Sequence, residues 1–220
     1  MEEDAKNIHS PLLSRPEVLK QFERLEHAVD ESKKRIDLTM ASNDEVVRGI
    51  RIVERFLRRK KRICYGGQAI NAQLPRSQQF YDPKYTLPDY DFFSPNFRAD
   101  VEELIADLEK EGFTDISKKM SVHEGTIKVL VNYIPIADCS ELHPELFRTL
   151  QKRARPVDGI YYVDPDFLRM LMYLELSRPR GEVERWKKVY ERLTLLNANY
   201  PPGKCDEAIR VSSGVTSEER

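Results

Sequence analysis

From Pro16 to about Met40 apolar residues recur at helical spacing, with Val18, Leu19, Phe22, Leu25, Val29, Ile36 and Leu38 predicting an amphipathic helix. Ser42-Asn43-Asp44-Glu45 has the form of a capping box, in which Ser42 caps backbone N–H groups and Glu45 reaches back. The helix it opens carries Val46, Val47, Ile50, Val53, Phe56 and Leu57 on one face and runs into Arg58-Arg59-Lys60-Lys61-Arg62. Ile63-Cys64-Tyr65 then reads as a short strand ending at Gly66-Gly67, with a helix opening from Gln68 to Leu74. Pro75 to Leu87 is polar and proline-punctuated, the pattern of a loop. Leu87 to Ser94 is an aromatic, apolar run that predicts a buried strand, and Ala99 to Glu111 is a helix stopped by Gly112. Phe113 to Met120 reads as a weaker strand. Thr126 to Asp138 gives the strongest β pattern of the chain, read as one strand with a bulge or sheet edge at Pro135.

The remainder is helical in pattern. Pro144 to Lys152 is a short helix broken by Arg153-Ala154-Arg155-Pro156. Asp164 or Asp166 caps a helix holding Phe167, Leu168, Met170, Leu171, Tyr173, Leu174 and Leu176, which Pro179 and Gly181 end. Val183 to Asn197 is the last helix, and the polar residues after Pro201 predict a disordered tail. These elements predict an α+β fold: a small mixed β-sheet with helices on one face, N-terminal helices and a following helical segment. The expected divisions are 1–60 for the arm and helices, 61–150 for the sheet domain, 151–203 for the helical segment and 204–220 for the tail.

Composition narrows the picture. The chain has 220 residues and a net charge of −1, so any nucleic-acid surface has to be local. The basic run Arg58 to Arg62 sits at a helix C-terminus, where the macrodipole favours cations, and that reading is preferred to an RNA-binding one. The three cysteines form no CxxC pair and the four histidines no HxxxH pattern, which argues for a reducing compartment and against zinc or a disulfide frame. The start lacks a signal peptide and no apolar run approaches the ~20 residues of a membrane span, so the expected setting is soluble and intracellular, without membrane contact.

The candidate chemistry lies in Asp89 and Asp91. Alternation puts both on one face of a strand, with Tyr90 and Phe92 on the other. Two carboxylates so close repel and lose solvation, so they must share a proton, pair with a cationic side chain or hold a divalent cation. The cation is the most economical, because hard oxygen ligands suit Mg2+. Asp138 closes the later apolar run and can supply a third carboxylate. Counting back by twos from it brings Asn132 and Lys128 to the same face. Gly66 and Gly67, at a strand-to-helix turn, let backbone N–H groups approach a phosphate with no Cβ in the way.

The segments Cys64-Tyr65-Gly66-Gly67-Gln68-Ala69-Ile70-Asn71, Leu87-Pro88-Asp89-Tyr90-Asp91-Phe92-Phe93-Ser94-Pro95-Asn96 and Asn132-Tyr133-Ile134-Pro135-Ile136-Ala137-Asp138 resemble the poly(A) polymerase catalytic subunits of large DNA viruses, within the polymerase-β-like nucleotidyltransferases. Asp164 to Met170 and Tyr173 to Pro179 extend the resemblance, which covers about Arg62 to Pro201. It implies Asp89, Asp91 and Asp138 as catalytic residues holding two Mg2+ or Mn2+ ions, with Gly66 and Gly67 at the nucleotide phosphates. Gln68, Lys128 and Arg169 are further candidates for nucleotide contact, and Tyr173 and Arg178 for nucleotide or RNA. The implied reaction adds AMP from ATP to RNA 3′ ends, in host cytoplasm or virion, with a second copy or a processivity subunit as partner. Relatives of this kind carry a further C-terminal region, so the expectation is a catalytic, N-terminal part. The same carboxylates would equally serve a nucleotidyltransferase with another acceptor, and a truncated RNA- or subunit-binding module is the non-enzymatic alternative.

Overall fold

A computed structural model describes residues 16–41, 43–81, 86–121, 123–178 and 183–202. It divides into two compact units, one ending at Val163 and one beginning at Asp164.

The first unit is organised by a seven-stranded mixed sheet in the order β3-β4-β5-β2-β1-β7-β6. Its strands are β1 (Ile63–Tyr65), β2 (Tyr90–Ser94), β3 (Ile116–Met120), β4 (Thr126–Val131), β5 (Ile134–Glu141), β6 (Arg155–Val157) and β7 (Ile160–Tyr162). β2 runs parallel to β5 and β1 parallel to β7, and the other neighbours are antiparallel. Helices α2 (Asp44–Lys60) and α4 (Phe97–Lys110) pack on one face, as the sequence predicts for the fold class. The remaining helices of this unit are α1 (Pro16–Ala41), α3 (Gly66–Gln73) and α5 (Pro144–Arg153).

α2 shows why the core forms where it does. Asn43 caps it, its side-chain oxygen accepting from the N–H groups of Glu45 and Val46, and Asp44 and Glu45 complement the helix dipole. The expected cap, Ser42, lies outside the described residues. Val46, Val53, Phe56 and Leu57 are wholly buried, so the apolar stripe read from sequence is the face laid on the sheet. The basic run at its end is absorbed by internal partners: Arg59 and Lys60 pair with Glu103, Arg59 also with Asp107, and Arg62 with Asp100.

Three departures from the sequence expectations matter for function. First, the run Thr126 to Asp138 is not one strand but a hairpin. Asn132 and Tyr133 have φ of 50° and 64°, the left-handed geometry of a two-residue turn, and they fold β5 back on β4. The ladder slips beside Pro135, where a bulge is expected, because proline offers no N–H. Secondly, β6 and β7 join the sheet where a helix break alone was expected. Asp158-Gly159, with φ of 50° and 79°, turns the chain between them, and the Arg58 Nε donates to the Asp158 carbonyl at 2.9 Å. The sheet therefore continues past residue 150, and the division between units falls after Val163. Thirdly, β2 begins at Tyr90, which leaves Asp89 just outside it.

The second unit contains α6 (Pro165–Leu176) and α7 (Trp186–Asn199). Asp164 caps α6 through the N–H groups of Asp166 and Phe167. The tail beyond Pro202 lies outside the described residues. No described helix is long and apolar enough to cross a membrane.

Candidate active site

Strand register builds the site. Tyr65 on β1 stands opposite Asp91 on β2, Asp91 is in register with Asp138 on β5, and Asp138 is in register with Lys128 on β4. One row of four side chains thus crosses four strands. Tyr90, the neighbour of Asp91, points the other way, its hydroxyl donating to Glu54 of α2 at 2.9 Å. The row therefore occupies the face turned away from α2.

Asp138 is the most enclosed carboxylate of the row, only 6% exposed. The Lys128 ammonium holds its Oδ2, while its Oδ1 is buried with no hydrogen-bond partner among the described residues. A buried carboxylate oxygen left bare is costly, so it marks a place where a cation or donor is called for. Lys128 carries the charge balance. Burial works to lower its pKa, but the Asp138 hydrogen bond and the charges of Asp138, Asp89 and Asp91 outweigh burial and hold it above the usual lysine value. All three carboxylates expected from sequence therefore act on one ammonium.

Gly66 opens α3 directly against this row. Its φ is +72°, and a Cβ placed there would stand 2.3 Å from the Asp91 Oδ2. Only glycine lets the backbone approach the carboxylate so closely. Gly67 follows in the same first turn. Tyr65 contributes a second layer that the sequence reading missed. Its ring stacks on Phe93 at 4.0 Å, and its hydroxyl pairs with Ser140 Oγ at 2.7 Å, which pairs with Thr126 Oγ1 at 2.7 Å. Burial, followed by the Asp91 charge, pushes the Tyr65 hydroxyl well above its ordinary pKa, so it stays protonated. Its position at the strand end before the glycine pair is the signal that could have found it.

The other candidates distribute differently. Asp89 is exposed immediately before β2 and reaches the row through its charge on Lys128. Gln68 lines a cavity of about 400 Å3 with Glu54, Asn71 and Tyr90, on the α2 side of the sheet. Asn132 lies in the hairpin turn and donates to Glu45 at 2.6 Å, so it does not join the row. Within the second unit Arg169 is 7% exposed and its guanidinium is occupied by Asn197, Asp166 and the Tyr200 carbonyl, a tie between the two helices. Tyr173 and Arg178, the candidates for nucleotide or RNA contact, are both exposed, Tyr173 to 52% on α6 and Arg178 just past it.

The donor set fits a divalent cation: hard carboxylate oxygens, an excess of negative charge and one bare buried oxygen. The set is not a closed cage. Among the described residues no three His, Cys, Asp or Glu side chains are gathered to hold a metal ion, because Asp138 turns one oxygen to Lys128 and Asp89 stands off the strand.

Comparison with known proteins bears on what such a row does. The family model for the poly(A) polymerase catalytic subunit matches residues 51–182. The chain is 30% identical over 163 residues to the putative poly(A) polymerase catalytic subunit of African swine fever virus (strain Badajoz 1971 Vero-adapted), covering 71% of this chain and 34% of the relative. It is 28% identical to that of Acanthamoeba polyphaga mimivirus, covering 73% of this chain and 28% of the relative. The crystal structure of the Megavirus polyadenylate synthase superposes with a TM-score of 0.76 at 26% identity, over 88% of this chain and 40% of that one. The chain thus spans about a third of the length of the curated relatives it matches.

Proposed function

The chain belongs to the poly(A) polymerase catalytic subunit family, and we propose that its acidic row is the centre of a template-independent adenylyl transfer, adding AMP from ATP to an RNA 3′-hydroxyl with release of pyrophosphate. The observation that carries this reading is the register of Asp91 with Asp138 on adjacent parallel strands, faced by the Gly66 turn. Asp89, Asp91 and Asp138 would hold Mg2+ or Mn2+, two ions in the form the resemblance implies. Such ions supply charge neutralisation at the triphosphate and a more acidic attacking hydroxyl. The protein's own part is positioning.

Each residue then has a task. Asp91 and Asp138 are set in register by β2 and β5. Asp89, just before β2, adds a third carboxylate. Gly66 and Gly67 bring backbone N–H groups to the phosphates, where a helix N-terminus favours negative charge. Tyr65, held by Phe93 and Ser140, braces the floor beside Asp91.

Primer extension tests the reading, with labelled oligo(A) RNA, Mg2+ or Mn2+ and each nucleoside triphosphate separately. The expected result is a ladder with ATP that Asp91→Ala abolishes. Extension by Asp91→Ala at the wild-type rate would remove the row from the chemistry. Transfer to a different acceptor, with the same dependence on Asp91, would keep the row and change the substrate.

A further inference from the structure

We propose that Lys128 is an exchangeable counter-ion of this site: its ammonium holds Asp138 while no divalent cation is bound, and gives way when one binds, becoming free to meet the phosphates that arrive with it. The inference rests on the cation reading of the row and adds a residue-level device to it.

Three observations carry it. The hairpin places Lys128 directly across from Asp138, so the pairing is fixed by strand register rather than by a chance rotamer. The second oxygen of Asp138 is buried without a hydrogen-bond partner among the described residues, so a cation drawn to this carboxylate meets the lysine on its first oxygen. Lys128 itself has somewhere to go: its side chain is 30% exposed and its stem is flexible, so the head can swing into solvent without disturbing β4. One ammonium among three carboxylates also leaves the row net negative, so a divalent cation is the better counter-charge and the exchange runs downhill electrostatically.

A static lysine, bound to Asp138 with or without metal, would make a different molecule. Its fixed charge would repel the cation from a distance, an effect that salt screens. A lysine that competes for the same oxygen weakens metal binding in the wild type whatever the salt. Tightening in the lysine variants that persists in about 1 M salt therefore means exchange, and tightening that salt removes means a static charge and overturns it.

The test is titration of Mn2+ alone, followed by electron paramagnetic resonance and calorimetry, into wild type, Lys128→Met, Lys128→Gln and Asp91→Asn. The expected result is Mn2+ binding about fivefold or more tighter in both lysine variants, the size expected when a competitor worth about 1 kcal/mol is removed. Thermal melts without metal should show the lysine variants less stable than wild type, and saturating Mn2+ should close most of that gap. Asp91→Asn should lose binding. Equal or weaker Mn2+ affinity in both lysine variants, with Asp91→Asn still deficient, would overturn the exchange and leave the cation site standing. Absence of Mn2+ binding by folded wild-type protein would overturn both.

Discussion

Two enclosed carboxylates in this protein, Asp100 and Asp138, meet their surroundings in opposite ways. Asp100, 2% exposed on α4, has both oxygens taken: Arg62 donates to each, Ser94 adds a third bond, and Lys60 stands at 3.5 Å. Asp138, nearly as enclosed, has one lysine on one oxygen and, among the described residues, nothing on the other. The first is a finished object that ties β2, the start of β1 and α4 together. The second is partnered on one side only, in a row that the Gly66 backbone closely approaches. Fully partnered charge marks structure, and incompletely partnered charge marks a place prepared for a ligand.

Substitution should separate the two sites cleanly. Asp100→Ala strands the Arg62 guanidinium in a buried setting, and the expected loss is about 3–5 kcal/mol in chemical denaturation, with the Mn2+ response of the folded fraction unchanged. Replacing the pair together, Asp100→Leu with Arg62→Met, should recover much of that loss, because packing then substitutes for charge. Asp91→Asn should do the reverse: stability within about 1 kcal/mol of wild type by melting, and adenylyl transfer down about a hundred- to a thousandfold in a single-turnover assay.

Acid sharpens the same contrast. Burial would raise the Asp100 carboxyl, but Arg62, Ser94 and Lys60 outweigh it and hold its pKa below the ordinary 3.8. A carboxyl lowered by folding contributes stability that is fully present above the ordinary value and is lost as pH falls below it and through the lowered one. A plot of stability against pH should therefore fall below about pH 4 in wild type, and Asp100→Asn should flatten that fall.

Two smaller effects probe the neighbours of the row. Gly66→Ala forces a Cβ onto Asp91 at a φ of +72°. It should cost about 1–2 kcal/mol in denaturant melts and reduce transfer further through the displaced carboxylate. Tyr65→Phe removes one hydroxyl, while Ser140 keeps its bond to Thr126. About 1 kcal/mol of stability should go, with little change in Mn2+ affinity by titration.

The contrast also explains what the sequence could and could not reveal. Asp91 and Asp138 stood out as candidates because one sits inside an aromatic, apolar run and the other closes one, where a carboxylate has no structural excuse. The Gly66 turn was legible because glycine pairs at strand-to-helix junctions are few. The partner of Asp138 was found for the wrong reason. Along one continuous strand, ten residues span about 33 Å, and Lys128 could never touch Asp138. The hairpin at Asn132-Tyr133 makes them neighbours, and that turn hides among strand-forming residues with no glycine to announce it. β6 and β7 carried a better signal, Asp158-Gly159 between Val157 and Ile160, overshadowed by the charged residues and proline before them. Asp100 was invisible as a structural anchor, since only the fold brings Arg62 and Ser94 to it. The Arg169 tie needs α7 to be seen, and sequence offers no distance between Arg169 and Asn197.

The most direct measurement is the Mn2+-dependent shift in melting temperature of wild type against Asp138→Asn. A clear rise with Mn2+ is expected in wild type, and it should be largely lost in Asp138→Asn, which lacks the carboxylate charge that draws the cation. Equal rises in the two proteins would place the cation elsewhere and contradict the reading of the row as the active site.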